Sequence, residues 1–342
     1  VSATVSTPPP ASGPEPDAGA AAGAGRGTSR GHGGRVVRRR FTSNRAAVVA
    51  AAVVGLLVLV AILAPLLAAL EGQDPTTFHD SLIDSGRGGV PLGSFGGISA
   101  DHWLGVEPTT GRDLFARVVF GARVSLGVAI GATVLQVLIG VTVGLAAGVG
   151  GRLLDSLLGR FIDLILAFPG LVFSIALLAI VPSSFPRPVL LVVVLGVLGW
   201  AGVARIVRGQ TLTLRETDYV AAARLAGVHP VRVARREILP GLAAPVLTYA
   251  ALLLPGNVVA EAALSFLGIG VRPPTSSWGQ MLSTATTWFR GDPTYVLIPA
   301  ALLFVTVLAF TLAGDGLRTG LDPRATARVQ GRRQRRGRER AS

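Results

Sequence analysis

The chain has no cysteine and only four histidines, so it offers no disulfide framework, no thiolate metal site and no cysteine nucleophile, and its redox compartment stays open. It also has no lysine: all 32 basic residues are arginine. A P-loop needs its lysine to reach the terminal phosphates, and no GxxxxGK[ST] can be written here. Any ATP hydrolysis coupled to this chain therefore belongs to another polypeptide. Aromatic residues make up 6% and charged residues 15%.

Half of the 342 residues are hydrophobic and 44 are glycine, a composition that points to a polytopic, all-α membrane protein. The formal net charge of +13 raises the question of nucleic acid. The arginines, however, are not interleaved with aromatics as in a groove-reading element; they cluster beside apolar runs, where they set topology and face membrane lipid.

Residues 1–45 open on TPPPASGPEP, pass through an Ala/Gly run and end in a polybasic stretch, Arg35 to Arg40, a composition that predicts a disordered cytoplasmic tail. Residues 46–70 are uncharged and apolar, about 37 Å long as a helix, enough to cross a hydrocarbon core of about 30 Å and too long for a signal-peptide core. Residues 71–123 are polar and rich in Gly, Pro and Asp, which predicts an external lobe. A core of five further spans is expected over 124–313. The second span, Val124 to Val149, carries Gly140, Gly144 and Gly148 on one face, with Gly127 and Gly131 extending it, so another helix is expected to pack closely there. A third, Phe161 to Val181, is broken at Pro169 and Gly170, with Asp163 one turn inside its cytoplasmic end. Span four is Val189 to Ile206. Span five, Leu242 to Leu267, is interrupted by Pro245, Pro255, Asn257 and Glu261; an ionised Glu261 in hydrocarbon would cost about 2.5 to 3.5 kcal/mol, so it should face the bundle interior. Trp278 and Gly279 suggest an interfacial turn or re-entrant piece, and Trp288 and Phe289 interfacial anchors. Span six, Thr294 to Ala313, is followed by a basic, disordered tail over 314–342.

With this division 25 of the 32 arginines fall inside and seven outside, so the positive-inside rule places both termini in the cytoplasm.

One polar, arginine-rich island interrupts the apolar text: DYVAAARLAGVHPVRVARREILPG, Asp218 to Gly241. Asp218 suits a helix cap, Gly227 a left-handed helix end, Pro230 the first turn of a second helix and Pro240 its close. In that helix Val231, Ala234 and Ile238 fall on one face, opposite Arg232, Arg235 and Arg236. Such a loop can simply fix topology. Its spacing, though, resembles the "EAA" loop of the permease subunits of binding-protein-dependent ABC importers: Ala222, Ala223, Gly227, Leu239 and Pro240 match, and Ala221 stands where a glutamate is usual. GRDLFARVVFGARVSLG, DLILAFPG, EAALSFLGIGVRPPTSSWGQML and LAFTLAGDGLRTGLDPR are similar to the dipeptide, oligopeptide and nickel branch.

The resemblance implies a type I ABC importer permease bundle of six transmembrane helices, with a cytoplasmic coupling loop over 209–241 in which Tyr219, Ala222, Ala223, Gly227, Leu239 and Pro240 meet an ATPase subunit. It implies a second homologous permease, two ATPase subunits holding ATP and magnesium, an extracytoplasmic substrate-binding protein, and a prokaryotic plasma membrane. The LGVEPTTGRD stretch resembles an external signature of the branch, which makes Glu107, Arg112 and Asp113 candidates either for contact with a binding protein or for holding the lobe together. The cargo expected is a peptide, with nickel or another small solute open. A different reading is an ion-coupled secondary transporter using Asp163 or Glu261, although the chain lacks inverted halves with matching broken helices.

Overall fold

The computed structural model describes residues 41–182 and 184–321, so the polybasic stretch Arg35 to Arg40 and most of both predicted tails lie outside the described residues. Helix α1, Arg45–Ile62, starts where the Asn44 side chain accepts from Ala47 N. The apolar run expected as one helix is in fact two. Pro65 lacks the N–H that would bond to Ala61 and its ring crowds that carbonyl, so the chain leaves helical geometry at Leu63 and restarts as α2, Ala64–Glu71.

Helix α3, Leu114–Val149, begins ten residues before the apolar run, because Asp113 caps it by accepting from Ala116 N at 2.6 Å. Its 36 residues span about 54 Å, so its first turns stand beyond a bilayer core and brace the lobe. Next come α4, Arg152–Ala167, and α5, Gly170–Ile180, bent by 80° at Phe168 and Pro169. Pro169 has no amide proton to continue the ladder, and the pair together makes one broken span. Helix α6, Arg187–Arg215, returns the chain to the arginine-rich end.

The island supplies α7, Asp218–Leu225, and α8, Pro230–Val233, then a π-helical turn, Ala234–Ile238, that leads into α9, Leu239–Phe266. Helices α10, Trp278–Ala285, and α11, Pro293–Leu321, complete the described chain. Five helices are long and apolar enough to cross a membrane, six with the bent pair. The lobe between α2 and α3 has little regular structure: two-residue strands pairing Ile83 with Pro91 and Asp84 with Val90, and a bridge between Val106 and Asp113.

The most extensive packing joins α3 to α6 through the glycine stripe. A Cβ on Gly140 would overlap Val203, one on Gly144 would sit 2.6 Å from the Ala204 carbonyl, and one on Gly148 would overlap Thr211. Gly131 packs on Val192, whereas Gly127, expected to extend the stripe, has nothing within 4 Å. The span after Thr294 was expected to give way to a tail at residue 314; it stays helical to Leu321 because Gly314, Gly316 and Gly320 are buried, Gly316 directly beneath Ala47 and Phe41. Trp278 is a core residue and not an interfacial one: it is fully buried, and its Nε1 donates to Val118 O at 3.1 Å.

Candidate functional site

At the arginine-rich end, α7 is held by its buried side and open on the other. Val220, Val233 and Ile238 pack with Val203, Val207 and Leu242 into one apolar cluster that ties the island to α6 and α9. Tyr219, Ala222 and Leu225, three residues apart on one helical face, are exposed, Leu225 at 90%. Ala223 is half-buried. The helix ends in a Schellman turn: Gly227 N donates to Arg224 O and Val228 N to Ala223 O, with Gly227 at φ +72. Only a residue tolerant of positive φ closes the helix in this way.

Three local expectations change. Thr217, not Asp218, is the cap residue; it is extended, and Asp218 opens the first turn, where its charge complements the helix dipole. Pro240 does not close a helix. It is the second residue of α9, directly after the π-helical turn, and the helical backbone runs on from Pro230 to Phe266. The buried face of this stretch is Val233, Ala234 and Ile238, whereas Val231, expected on that face, is 59% exposed. Leu239 and Pro240 are exposed.

Beside α7 lies a cleft of about 540 Å³ lined by Gly227, Val228, Pro230, Arg224, Arg215 and Gly150, among others. A second, of about 590 Å³, is lined by His229, Val231, Arg232, Arg235 and Arg236. This end of the molecule therefore combines an exposed helix face of Tyr219, Ala222 and Leu225 with a dense positive surface.

Asp163 meets Arg205 of α6 at 2.6 Å on an exposed surface. Asp155 takes a two-pronged contact from Arg208, at 2.5 and 3.0 Å. These pairs fasten α4 to α6. Glu261 is fully buried: Ser265 Oγ donates to its Oε1 at 2.8 Å and itself accepts from Val271 N, while Oε2 has no hydrogen-bond partner among the described residues and lies near Ser125 and Ser277. Ser125 and Ser277 also accept from Trp278 N and Gln280 N, so Glu261 gathers α3, α9 and α10 at one end of the bundle.

Deeper in the bundle, Gln136 of α3 and Asn257 of α9 form a reciprocal amide pair. Gln136 Nε2 donates to Asn257 Oδ1 (3.1 Å) and Leu195 O (3.0 Å); Asn257 Nδ2 donates to Gln136 Oε1 (3.0 Å) and Thr133 Oγ1 (2.8 Å). A cavity of about 200 Å³ opens beside the pair, edged by Gly170 and Ser174 of α5 and Gly199 of α6. The sequence reading singled out Asn257 only as an interruption and passed over Gln136, whose signal was a lone amide in an uncharged run.

Glu107, Arg112 and Asp113 are buried, at 2%, 5% and 0% exposure. Glu107 accepts from Arg112 Nε at 2.7 Å, from Thr110 at 2.9 Å and from Tyr295 of α11. Arg117, unremarked in the sequence, is also fully buried; it donates to Gln280 Oε1 at 2.8 Å and lies 3.5 Å from Glu107. This lattice fixes the lobe to α3, α10 and α11. No group of three or more His, Asp or Glu is arranged for a metal among the described residues.

A multi-span helical bundle with a broken span, a packed polar interior and a structured arginine-rich loop defines an integral membrane permease. The chain belongs to the family described as binding-protein-dependent transport system inner membrane component, whose profile matches residues 140–327. The profile for the N-terminal transmembrane domain of oligopeptide transport permease C matches residues 34–82. The oligopeptide transport system permease protein OppC of Escherichia coli K12 is 38% identical over 84% of this chain and 90% of its own length. OppC of Salmonella typhimurium is 40% identical over the same shares. The glutathione transport system permease protein GsiD of Shigella flexneri is 37% identical over 84% of this chain and 89% of its own. Among solved structures, a chain of the MetNI methionine ABC transporter in inward-facing form overlaps with a TM-score of 0.48 at 19% identity, covering 60% of this chain and 96% of that one.

Proposed function

We propose that the chain forms half of the translocation pathway of an ATP-driven peptide importer, beside a second, similar permease. Two ATPase subunits holding ATP and magnesium drive it, and an extracytoplasmic binding protein delivers the cargo. The observation that carries this reading is α7: a short helix with Tyr219, Ala222 and Leu225 turned outward, stopped by a left-handed Gly227 and rooted in the bundle through Val220. The small Ala221 and Ala222, exposed between the larger Tyr219 and Leu225, let such a helix seat in a groove of another protein. Its rigid connection through the π turn to α9 lets a displacement of α7 move a span, so nucleotide-driven closure of the ATPases would tilt the bundle. Leu239 and Pro240, at the start of α9, lie on that lever. In this topology both termini and the island are cytoplasmic, and the lobe is external.

A peptide cargo follows from the named substrates of the relatives, an oligopeptide and a glutathione system. An ion-coupled carrier is not favoured: Asp163 is paired on the surface with Arg205, and Glu261 is enclosed by serines. The test is purification of the tagged chain in mild detergent, followed by ATPase and uptake assays. Co-purification of ATPase and second permease chains is expected, and Gly227→Val should leave insertion intact while separating ATP hydrolysis from uptake. Uptake by that variant at the normal rate and stoichiometry would overturn the coupling role.

A further inference from the structure

Where the lobe meets the bundle, four titratable side chains come together that the transport reading leaves without a task. Glu71, the last residue of α2, accepts from Trp103 N at 2.7 Å through Oε1, while Oε2 is buried without a partner among the described residues. The carboxyl of Asp113 stands within hydrogen-bonding reach of Glu71 and takes His102 Nδ1 at 2.8 Å on its other side. His79 sets its ring edge-on to His102, centroids 5.2 Å apart, and its Nε2 is likewise buried without a partner. The loop carrying His79 is locked by Gly111, at φ +64, whose missing Cβ leaves room for the His79 carbonyl.

Two neighbouring carboxyl groups do not both carry charge without cost, so Asp113 favours the protonated form of Glu71 beside it. The neighbouring cations do not relieve this: Arg112 and Arg117 are engaged by Glu107, and Arg117 also by Gln280 and Pro75 O. Glu107 itself faces those arginines and Tyr295, and Asp74 and Asp101 are exposed to solvent. Burial first, and then the Asp113 carboxyl, push the Glu71 carboxyl up to about 7, against the opposing effect of the Trp103 amide.

We propose that Glu71 and Asp113, flanked by His79 and His102, form a proton-binding site that fastens the lobe to the bundle when the proton is held and lets the 74–112 segment loosen when it leaves. The sign follows from linkage. A carboxyl raised above its ordinary value in the folded lobe stabilises it fully at low pH and loses that contribution as pH rises through about 7. The lobe is therefore tight in acid and loose in mild alkali. The proposal concerns the folded chain alone and does not rest on the importer reading, because its test needs neither ATPase nor cargo.

The natural absence of cysteine gives that test a clean background. Val106 is 1% exposed inside the lobe and Ala100 lies on its surface, so single-cysteine versions Val106→Cys and Ala100→Cys of the full chain in nanodiscs report buried and open positions. The ratio of their maleimide labelling rates cancels the pH dependence of the thiol. It should rise several-fold, up to about tenfold, between pH 6 and pH 8, the partial exposure of Glu71 holding it at or below that ceiling. Glu71→Gln keeps an acceptor for Trp103 N and gives Asp113 a permanent donor, and should hold the ratio flat and low. Asp113→Asn keeps an acceptor for the Ala116 cap, removes the like charge and should flatten the profile as well. A flat ratio in the otherwise native chain, or an undiminished rise in both variants, overturns the proposal.

Discussion

Gln136 and Asn257 sit on two apolar helices, and each is tolerated there because the other completes its hydrogen bonds. Asn257→Leu strands the Gln136 amide and should destabilise the protein by about 1 to 3 kcal/mol, seen as a lower Tm in detergent. The double variant Gln136→Leu with Asn257→Leu should recover part of that loss, since no donor is then left unpaired; a double variant worse than the sum of the two singles would contradict the pairing. The sequence marked Glu261 and Asn257 as costly in a membrane, which is a property of one side chain. It did not mark Gln136 or Arg117, whose hydrogen-bond partners Asn257 and Gln280 come from helices more than a hundred residues away in the chain. Partnership across that separation leaves no local pattern.

Among the elements, the α3–α6 pair was the most legible. Glycines at every fourth position of a helix form a stripe whatever surrounds it, and the stripe lies against Trp200, Val203, Ala204, Val207 and Thr211. Gly144→Leu should force the helices apart and cost about 1 to 3 kcal/mol or more, with loss of folded protein in a fluorescence size-exclusion assay. Gly127→Leu, one face over and open to 4 Å, should give a normal profile. Equal effects at the two positions would argue against the packing described. The π turn at Ala234–Ile238 was not legible, because one extra residue per turn leaves the apolar count nearly unchanged while rotating every later side chain. Pro240 follows that turn and is passed through without ending the helix.

For the whole molecule, the distribution of arginine makes a topological prediction that the absence of cysteine makes easy to check. A cysteine placed at Ala100 should react with an impermeant maleimide added to intact cells, and one at Leu225 only after permeabilisation. Reversed labelling would place the lobe in the cytoplasm and remove the coupling reading of α7. The lobe itself was legible only as a polar interval. Its closure depends on Glu107 meeting Tyr295 across nearly two hundred residues, and Glu107, Arg112 and Asp113, candidates for outside contact or for holding the lobe together, are all buried.

The sequence by itself determined the membrane class, the number of spans counting the broken one, the glycine seam and the Gly227 turn, because apolar length, helical periodicity and positive φ are properties of a few consecutive residues. Tertiary structure alone decided the helical stretch after residue 314 and the distant partners of buried polar groups such as Gln136, Asn257, Arg117 and Glu107. Those depend on what lies opposite: the ends of α11 and α1 close over Gly316, and Glu71 shares its surroundings with Asp113 only because the lobe folds one span back onto the next.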